Sequence, residues 1–397
     1  MKFVNEIGPS EMEVKHSQVS NVHYHGMAIP PVQPADDIYM LVPPAGGIDK
    51  HDEHDGGKKH KHVDHTIGAD LKSSNVFDYR WTVPGDHNMG LFWYHPHPHG
   101  MSEAQVLSGM SGMLVVEGMV ERLHPELKDL KRRTLILKDA ELPGSDDDDP
   151  KTKTINGVLG GVITAAPGAF EIWEIGNLGA DAYFDLAIDG HTFWLLEQDG
   201  NALPQPVKID HVFLPPASRA RVVVEAGAKG LYGLRTRAID TGKAGDPNPE
   251  VILATLNVAG KPTRADARPI RARLERAAAE PDADRAQRIA ALPVTRSRTI
   301  TYTESEDGEV FFINGREFDI NRIDVDVVLG DVEEWTIVND TDERHTFHIH
   351  QLDFLVQSVG GNPLEMTGMR DNVDVPFRDP KTRGAGIVKV KVLSPIR

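Results

Sequence analysis

None of the 397 residues is cysteine. Within these residues that excludes disulfides and thiolate metal ligands alike. It leaves the compartment open, because extracellular proteins can also lack disulfides. No stretch is long and apolar enough to cross a bilayer, so no membrane span is expected. The opening residues, MKFVNEIGPS, lack a basic segment followed by an apolar run, which argues against a secretory signal or a lipid anchor. Basic residues are in deficit: 43 Lys and Arg stand against 60 Asp and Glu, a formal net charge of −17. A phosphate backbone rewards a basic surface, so no nucleic-acid partner is expected. Several catalytic signatures are also missing. There is no G-x-S-x-G, no H-E-x-x-H, no H-x-H-x-D-H, no phosphate-cradling G-x-x-x-x-G-K and no dinucleotide fingerprint.

What is present is turn-rich and β-like. The 27 prolines and 36 glycines break the chain into short runs such as GMLVVEG, RTLILKD, AFEIWEIGN, RARVVVEAG and VEEWTIVND. Many short strands with frequent turns point to all-β sandwiches. In AFEIWEI the alternation predicts Phe170 and Ile172 inward and Glu171 and Glu174 outward, with a slip at Trp173. A length of 397 residues is too great for one core, so two or three domains are expected. The reading is a first block over 1–128, a second over 129–260, a helical or partly ordered linker over 261–294 and a third block over 295–397. The linker is rich in Ala, Arg, Leu and Glu, with a break at Pro281 and Asp282. Two segments look like copies of one plan: strand, turn, tryptophan strand, Asn, loop, then a histidine-bearing strand. The first copy carries His191, the second a histidine cluster. GSDDDDPKTK reads as a solvated loop. The tract 49–65 carries His51, His54, His60, His62 and His65 and reads as a flexible insertion, with a capacity for weak metal capture.

The remaining histidines carry the chemistry. Side chains two apart on a strand share one face, separated by roughly 6.5–7 Å. His23 and His25 form such a pair, as do His95 and His97, and His348 and His350. His99 continues the second row. His345 lies three residues before His348, so it is expected on the opposite face, serving a different centre. Neutral imidazole suits Cu, Zn, Ni and Fe, and an all-histidine set without thiolate leans to copper or zinc. One H-x-H is usually just two partly exposed histidines; three in separate strands are much harder to dismiss. His16, His87, His99, His124, His191 and His211 are read individually as structural. Met89, Met101, Met110, Met113 and Met119 are read as core filling.

The motifs NVHYHGM, FWYHPHPHG followed by QVLSGMSGMLVVEG, and HTFHIHQLDFLV resemble the H-x-H-G, W-x-H-x-H and H-x-x-H-x-H motifs of three-domain multicopper oxidases, the laccase-like family. INGVLGG, IWEIGN, LAIDGHTF and LPPASRARVVVE extend the likeness through the middle of the chain. The resemblance implies tandem cupredoxin-like Greek-key β-sandwiches, the first and last incomplete here. It implies copper as cofactor, with His23 and His348 on the type 2 ion. His25, His95, His97 and His350 would be four of six type 3 ligands, and His345 a type 1 ligand. It implies O2 and a small reducing substrate, phenolic or metal-ion, as partners, and a periplasmic or secreted location. The family's H-C-H motif, with the type 1 thiolate, is missing, and both ends look cut. Three readings follow: part of a multicopper oxidase, inactive as written; a copper-binding protein without oxidase turnover; or a cupredoxin-like structural protein. Retention of every ligand up to the break disfavours the last.

Overall fold

The computed structural model describes all residues except 9–17, 47–68, 143, 145–148, 277–284, 306–307, 309, 365–367, 380, 383 and 394–397. The histidine tract 49–65, His16 and the break at Pro281 and Asp282 lie outside the described residues. The chain is all-β, as expected, and its strands fall into successive sandwich-like groups.

The middle group has two facing sheets. One orders its strands Gly161–Ala165, Val251–Val258, Gly230–Thr236, Phe184–Ile188 and Val212–Leu214. The other runs Asn201–Ile209, Phe193–Gln198, Arg219–Glu225, Phe170–Asn177, Lys131–Ala140 and Thr152–Ile155. Trp173, Ile175, Phe184, Leu186, Val222 and Leu256 interleave between them. The strand Phe170–Asn177 is buried along its whole length, so Phe170 and Ile172 are inward as read from AFEIWEI but the opposite face is buried too. Trp173 and Ile175 line the sandwich core, while Phe170 and Ile172 lie under helices Met119–Leu123 and Ala267–Leu274. Glu171 and Glu174 are therefore buried, not outward. They are tolerated because each meets an arginine: Arg133 reaches Glu171 at 2.5 Å and Arg221 reaches Glu174 at 3.2 Å.

The last group repeats this plan. Arg296–Glu304 runs parallel to Val332–Asn339, as Lys131–Ala140 does to Phe170–Asn177. In each copy a tryptophan (Trp173, Trp335) donates to a glutamate two residues earlier (Glu171, Glu333). That glutamate pairs with an arginine on the parallel strand, Arg133 or Arg298. In each copy an asparagine, Asn177 or Asn339, donates across the following arch, to the carbonyl of Leu214 or Val375. Leu214 pairs with Phe184, and Val375 with His345. So the counterpart of His345 is Phe184, and His191 is not its equivalent despite the shared His-Thr-Phe. Among the described residues, the sheet holding His345–His348 has one further strand, Asn372–Val375, where the middle copy has five strands in all. In the same group Ile323 and Leu329 remain 86% and 69% exposed.

The first group holds a three-stranded sheet, His23–His25, Leu91–His95 and Gly112–Val115, over a core of Val22, Tyr24, Met40, Tyr79 and Phe92. The linker contributes two helices. Ala267–Leu274 is capped by Asp266, which accepts from the Arg268 amide, and buries Ile270 and Leu274 on the middle group. Each such burial contributes about 1.5–3 kcal/mol. Arg285–Ala291 places Ala286 and Ile289 against Leu355 and Met369 of the last group. Of the loop expected over GSDDDDPKTK, residues 145–148 lie outside the described residues; its end instead enters strand Thr152–Ile155, where Lys153 is 5% exposed, not solvated. Its register opposite Asp139 and its place over the Phe184 ring account for that burial.

Asp353 sits where all three groups meet. Arg285 donates to it at 2.6 Å, and the amides of Asn88 and Asn201 at 3.1 Å each. Its role is thus to tie elements together. Asp353→Ala removes an acceptor shared by three donors and is expected to lower stability by about 1–3 kcal/mol in denaturant unfolding. His124 is a second junction residue, 1% exposed, with neither ring nitrogen bonded to protein. Burial, with Arg273 nearby, pushes its pKa down to about 3. The folded state therefore holds it neutral, and its stabilising contribution is lost as pH falls below the unfolded value of about 6.5. His124→Met is expected to gain on the order of 2 kcal/mol over the parent between pH 7.5 and pH 5. An equal pH dependence of the two proteins would contradict this.

Candidate metal centre

Strand pairing builds the first half of the site. His23 lies opposite His95, and His25 opposite Trp93, in the antiparallel pair His23–His25 with Leu91–His95. His23 and His25 share a face by strand parity, and Pro96 turns the chain so that His97 joins them. The second half comes from the far end of the chain. His348 closes the strand His345–His348, and His350 follows it.

The two halves interdigitate. The His25 and His348 rings stack with centroids 3.7 Å apart, and His23 and His350 stack at 4.0 Å. His95 and His97 lie 5.2 and 5.3 Å from His23, and His97 lies 5.0 Å from His350. The ring nitrogens of His23, His25 and His348 fall within 4.8 Å of one another. All six residues read as cluster histidines are thus brought together. His345 is set apart: its ring neighbours are Tyr302 and Phe311, and it lines a separate cavity of about 320 Å3.

The polar partners fix which nitrogen faces inward. Nδ1 of His348 donates to the Asp371 carbonyl at 2.5 Å, and Nδ1 of His95 to the Pro96 carbonyl at 2.8 Å. A carbonyl can only accept, so Nδ1 carries the proton and Nε2 keeps a free lone pair. Nδ1 of His23 is held by Asp36 at 3.0 Å. Nε2 of His23, His25, His95 and His348 is buried with no protein partner. Several orphaned lone pairs in one place are costly unless something electropositive fills the space. That donor set fits a metal ion.

Electrostatics agree. Burial, reinforced by the neighbouring imidazoles, holds His23, His25 and His350 well below the usual histidine value. Burial lowers His95 to about 3 and His345 to about 4. These rings are neutral near pH 7, the form that binds metal. Burial also raises Asp36 to about 7. A cavity of about 400 Å3 opens beside His25, His95, His97, His348 and His350.

Gly26 follows His25 with φ +80°, and a Cβ there would stand 2.3 Å from Asp371 and 2.8 Å from Arg219. This explains the glycine of H-x-H-G physically. Gly26→Ala is expected to destabilise the chain by more than about 2 kcal/mol, read as a shifted urea midpoint.

The histidines read as structural are elsewhere. His87 donates to the Asn88 carbonyl and accepts from the Ala28 amide. His211 pairs with Asp185 at 2.6 Å, His191 is bonded to Asp189 and Gly227, and His99 packs on Phe318. Sequence reasoning passed over Asp36, Trp93, Arg219, Gln351 and Asp371. Trp93 stacks on His95 at 4.1 Å, and Gln351 donates to Asp36 at 2.8 Å. Trp93 lay within W-x-H-x-H, Arg219 within LPPASRARVVVE and Gln351 within HTFHIHQLDFLV, but no role was read for them; Asp36 and Asp371 are ordinary acidic residues in sequence.

Two models of the family described as multicopper oxidase match residues 125–261 and 291–383, together more than half of the chain. The multicopper oxidase mco of Staphylococcus haemolyticus (strain JCSC1435) is 25% identical over 300 residues, covering 71% of this chain and 59% of the relative. The cell division protein FtsP of Rahnella sp. (strain Y9602) is 27% identical over 331 residues, covering 78% and 66%. The chain therefore spans less than two thirds of the length of these curated relatives. Among solved structures, a multicopper oxidase from Campylobacter jejuni, described as a metallo-oxidase, superposes with a TM-score of 0.71 at 23% identity, over 96% of this chain and 76% of that one. The 2F4 variant of the McoA multicopper oxidase from Aquifex aeolicus gives 0.71 at 20% identity, over 100% and 80%. The fold is that of these cupredoxin-type proteins, and the chain belongs to the multicopper oxidase family.

Proposed function

We propose that these residues hold copper at the junction of the first and last groups, as part of a multicopper oxidase-type protein. The single observation that carries the reading is the convergence of six histidines from the two ends of the chain, with buried Nε2 lone pairs on His23, His25, His95 and His348 and no protein partner for them. His23 and His348 are assigned to a type 2 site, and His25, His95, His97 and His350 to a type 3 pair. His345 is assigned to a type 1 site. Copper, when bound, supplies one-electron chemistry and the site of O2 reduction to water. The chain's own residues hold and orient: Asp36 fixes the His23 ring, the Asp371 and Pro96 carbonyls fix His348 and His95, and Trp93 shields His95. The reductant is proposed to be phenolic or a metal ion, and the location periplasmic or secreted.

One observation favours a second reading for the 397 residues by themselves: they contain no cysteine. On that reading they bind copper without oxidase turnover. The test is a copper titration of the apo chain against a competing chelator, with electron paramagnetic resonance on the Cu(II) form. Nitrogen hyperfine structure and histidine protection at His23, His25, His95 and His348 are expected. Copper held mainly outside those histidines would overturn the assignment.

A further inference from the structure

The middle group contributes none of the seven candidate ligands, yet one of its arginines reaches into their surroundings. Arg219 is fully buried. Its Nε donates to the Leu91 carbonyl of the first group at 3.0 Å. Its terminal nitrogens fork onto Asp371 of the last group, at 2.8 and 2.6 Å. Its own amide donates to Asp199 at 2.8 Å, which anchors the start of strand Arg219–Glu225. One guanidinium therefore bridges all three groups.

Asp371 passes that contact on. Its carbonyl accepts from Nδ1 of His348, and a carboxylate oxygen lies 3.6 Å from Nε2 of His25. Both carboxylate oxygens are occupied by Arg219. Released, the carboxylate could swing onto His25 and compete for the nitrogen that faces the centre. The backbone that orients His348 would lose one of its anchors at the same time, keeping the bonds of Asn372 to Pro216 and Ser218. The pair packs directly on Gly26, the residue after His25: a Cβ there would stand 2.3 Å from Asp371 and 2.8 Å from Arg219.

We propose that Arg219 is a positioning residue for the metal centre. Through its fork on Asp371, the middle group sets the register between the two ligand-bearing groups and holds His348 and His25 in place. This rests on the copper reading above. Arginine is needed because a planar fork fixes both carboxylate oxygens at once, whereas lysine offers a point charge.

The test compares the full chain with Arg219→Lys, the double variant Arg219→Met with Asp371→Asn, and His348→Ala. Each is measured for Cu(II) affinity by chelator competition, for its electron paramagnetic resonance spectrum and for apo thermal unfolding. Loss of an outer-shell partner commonly costs about 10–100-fold in metal affinity, and Arg219→Lys is expected to bind copper at least about 10-fold more weakly, with altered hyperfine splitting. The double variant removes both buried charges, so its melting recovers while its copper affinity and spectrum do not. A double variant with parental affinity and spectrum overturns the proposal and leaves Arg219 a residue of folding alone. Parental copper binding by His348→Ala would overturn the copper reading itself, and this proposal with it.

Discussion

His348→Ala is expected to lower the copper affinity of the chain by about 100-fold or more, while His345→Ala leaves it within about two-fold. The two residues share one short strand, yet their rings face different surroundings. His348 stacks on His25, and its Nε2 joins the group formed with His23. His345 packs beside Tyr302 and Phe311, away from the other six. Losing an outer-shell partner already costs about 10–100-fold, so losing a ligand from the centre costs more. Neither change threatens the core: among buried residues of this strand the packing belongs to Phe347. Equal losses from both variants would mean that they serve one centre, and the assignment of two would fall. Chelator competition on the two apo proteins decides it.

The second expected result concerns turnover. Copper-loaded, the 397 residues should show no intense blue absorption band and no oxygen uptake with a phenolic or metal-ion reductant. A blue copper site needs a cysteine thiolate beside its histidines, and none of these residues is cysteine. The effect is all-or-none, because the thiolate defines the site through which reducing equivalents enter in the family. His345 alone, with its ring lowered to about 4 by burial, offers one neutral nitrogen for that site. Supplying cysteine-free copper protein with excess reductant and following dissolved oxygen is the measurement. Sustained, oxygen-coupled oxidation by the chain would sink the prediction and show that electrons enter the cluster by another route.

The strands that carry the site were legible in sequence for a simple reason. Parity along a strand depends only on local geometry, so H-x-H pairs and the offset of His345 could be read without knowing any long-range contact. The internal repeat was legible too, because the order of strand, turn, tryptophan strand, Asn, loop and histidine-bearing strand recurs. Its register was not. The shared His-Thr-Phe pointed to His191, and only the hydrogen bonds of Asn177 and Asn339 align His345 with Phe184. The glutamates of AFEIWEI were misread as outward for a related reason. Alternation shows that two faces differ but not which one a helix will cover, and Ile270 and Leu274 cover the face of Phe170 and Ile172.

Residue type and spacing were enough to pick out three H-x-H pairs and to lean to copper or zinc, since three such pairs in separate strands are hard to dismiss; the choice of copper came from the family resemblance. The meeting of His23, His25, His95 and His97 with His348 and His350 is a contact across more than 250 positions of chain. No local pattern encodes such a distance. The same holds for what steadies the centre. Asp36, Arg219 and Asp371 look like any charged residues in the sequence. They acquire roles because folding buries them, and a buried polar or charged group must find its partner. Arg219 finds Asp371, and Asp36 finds His23.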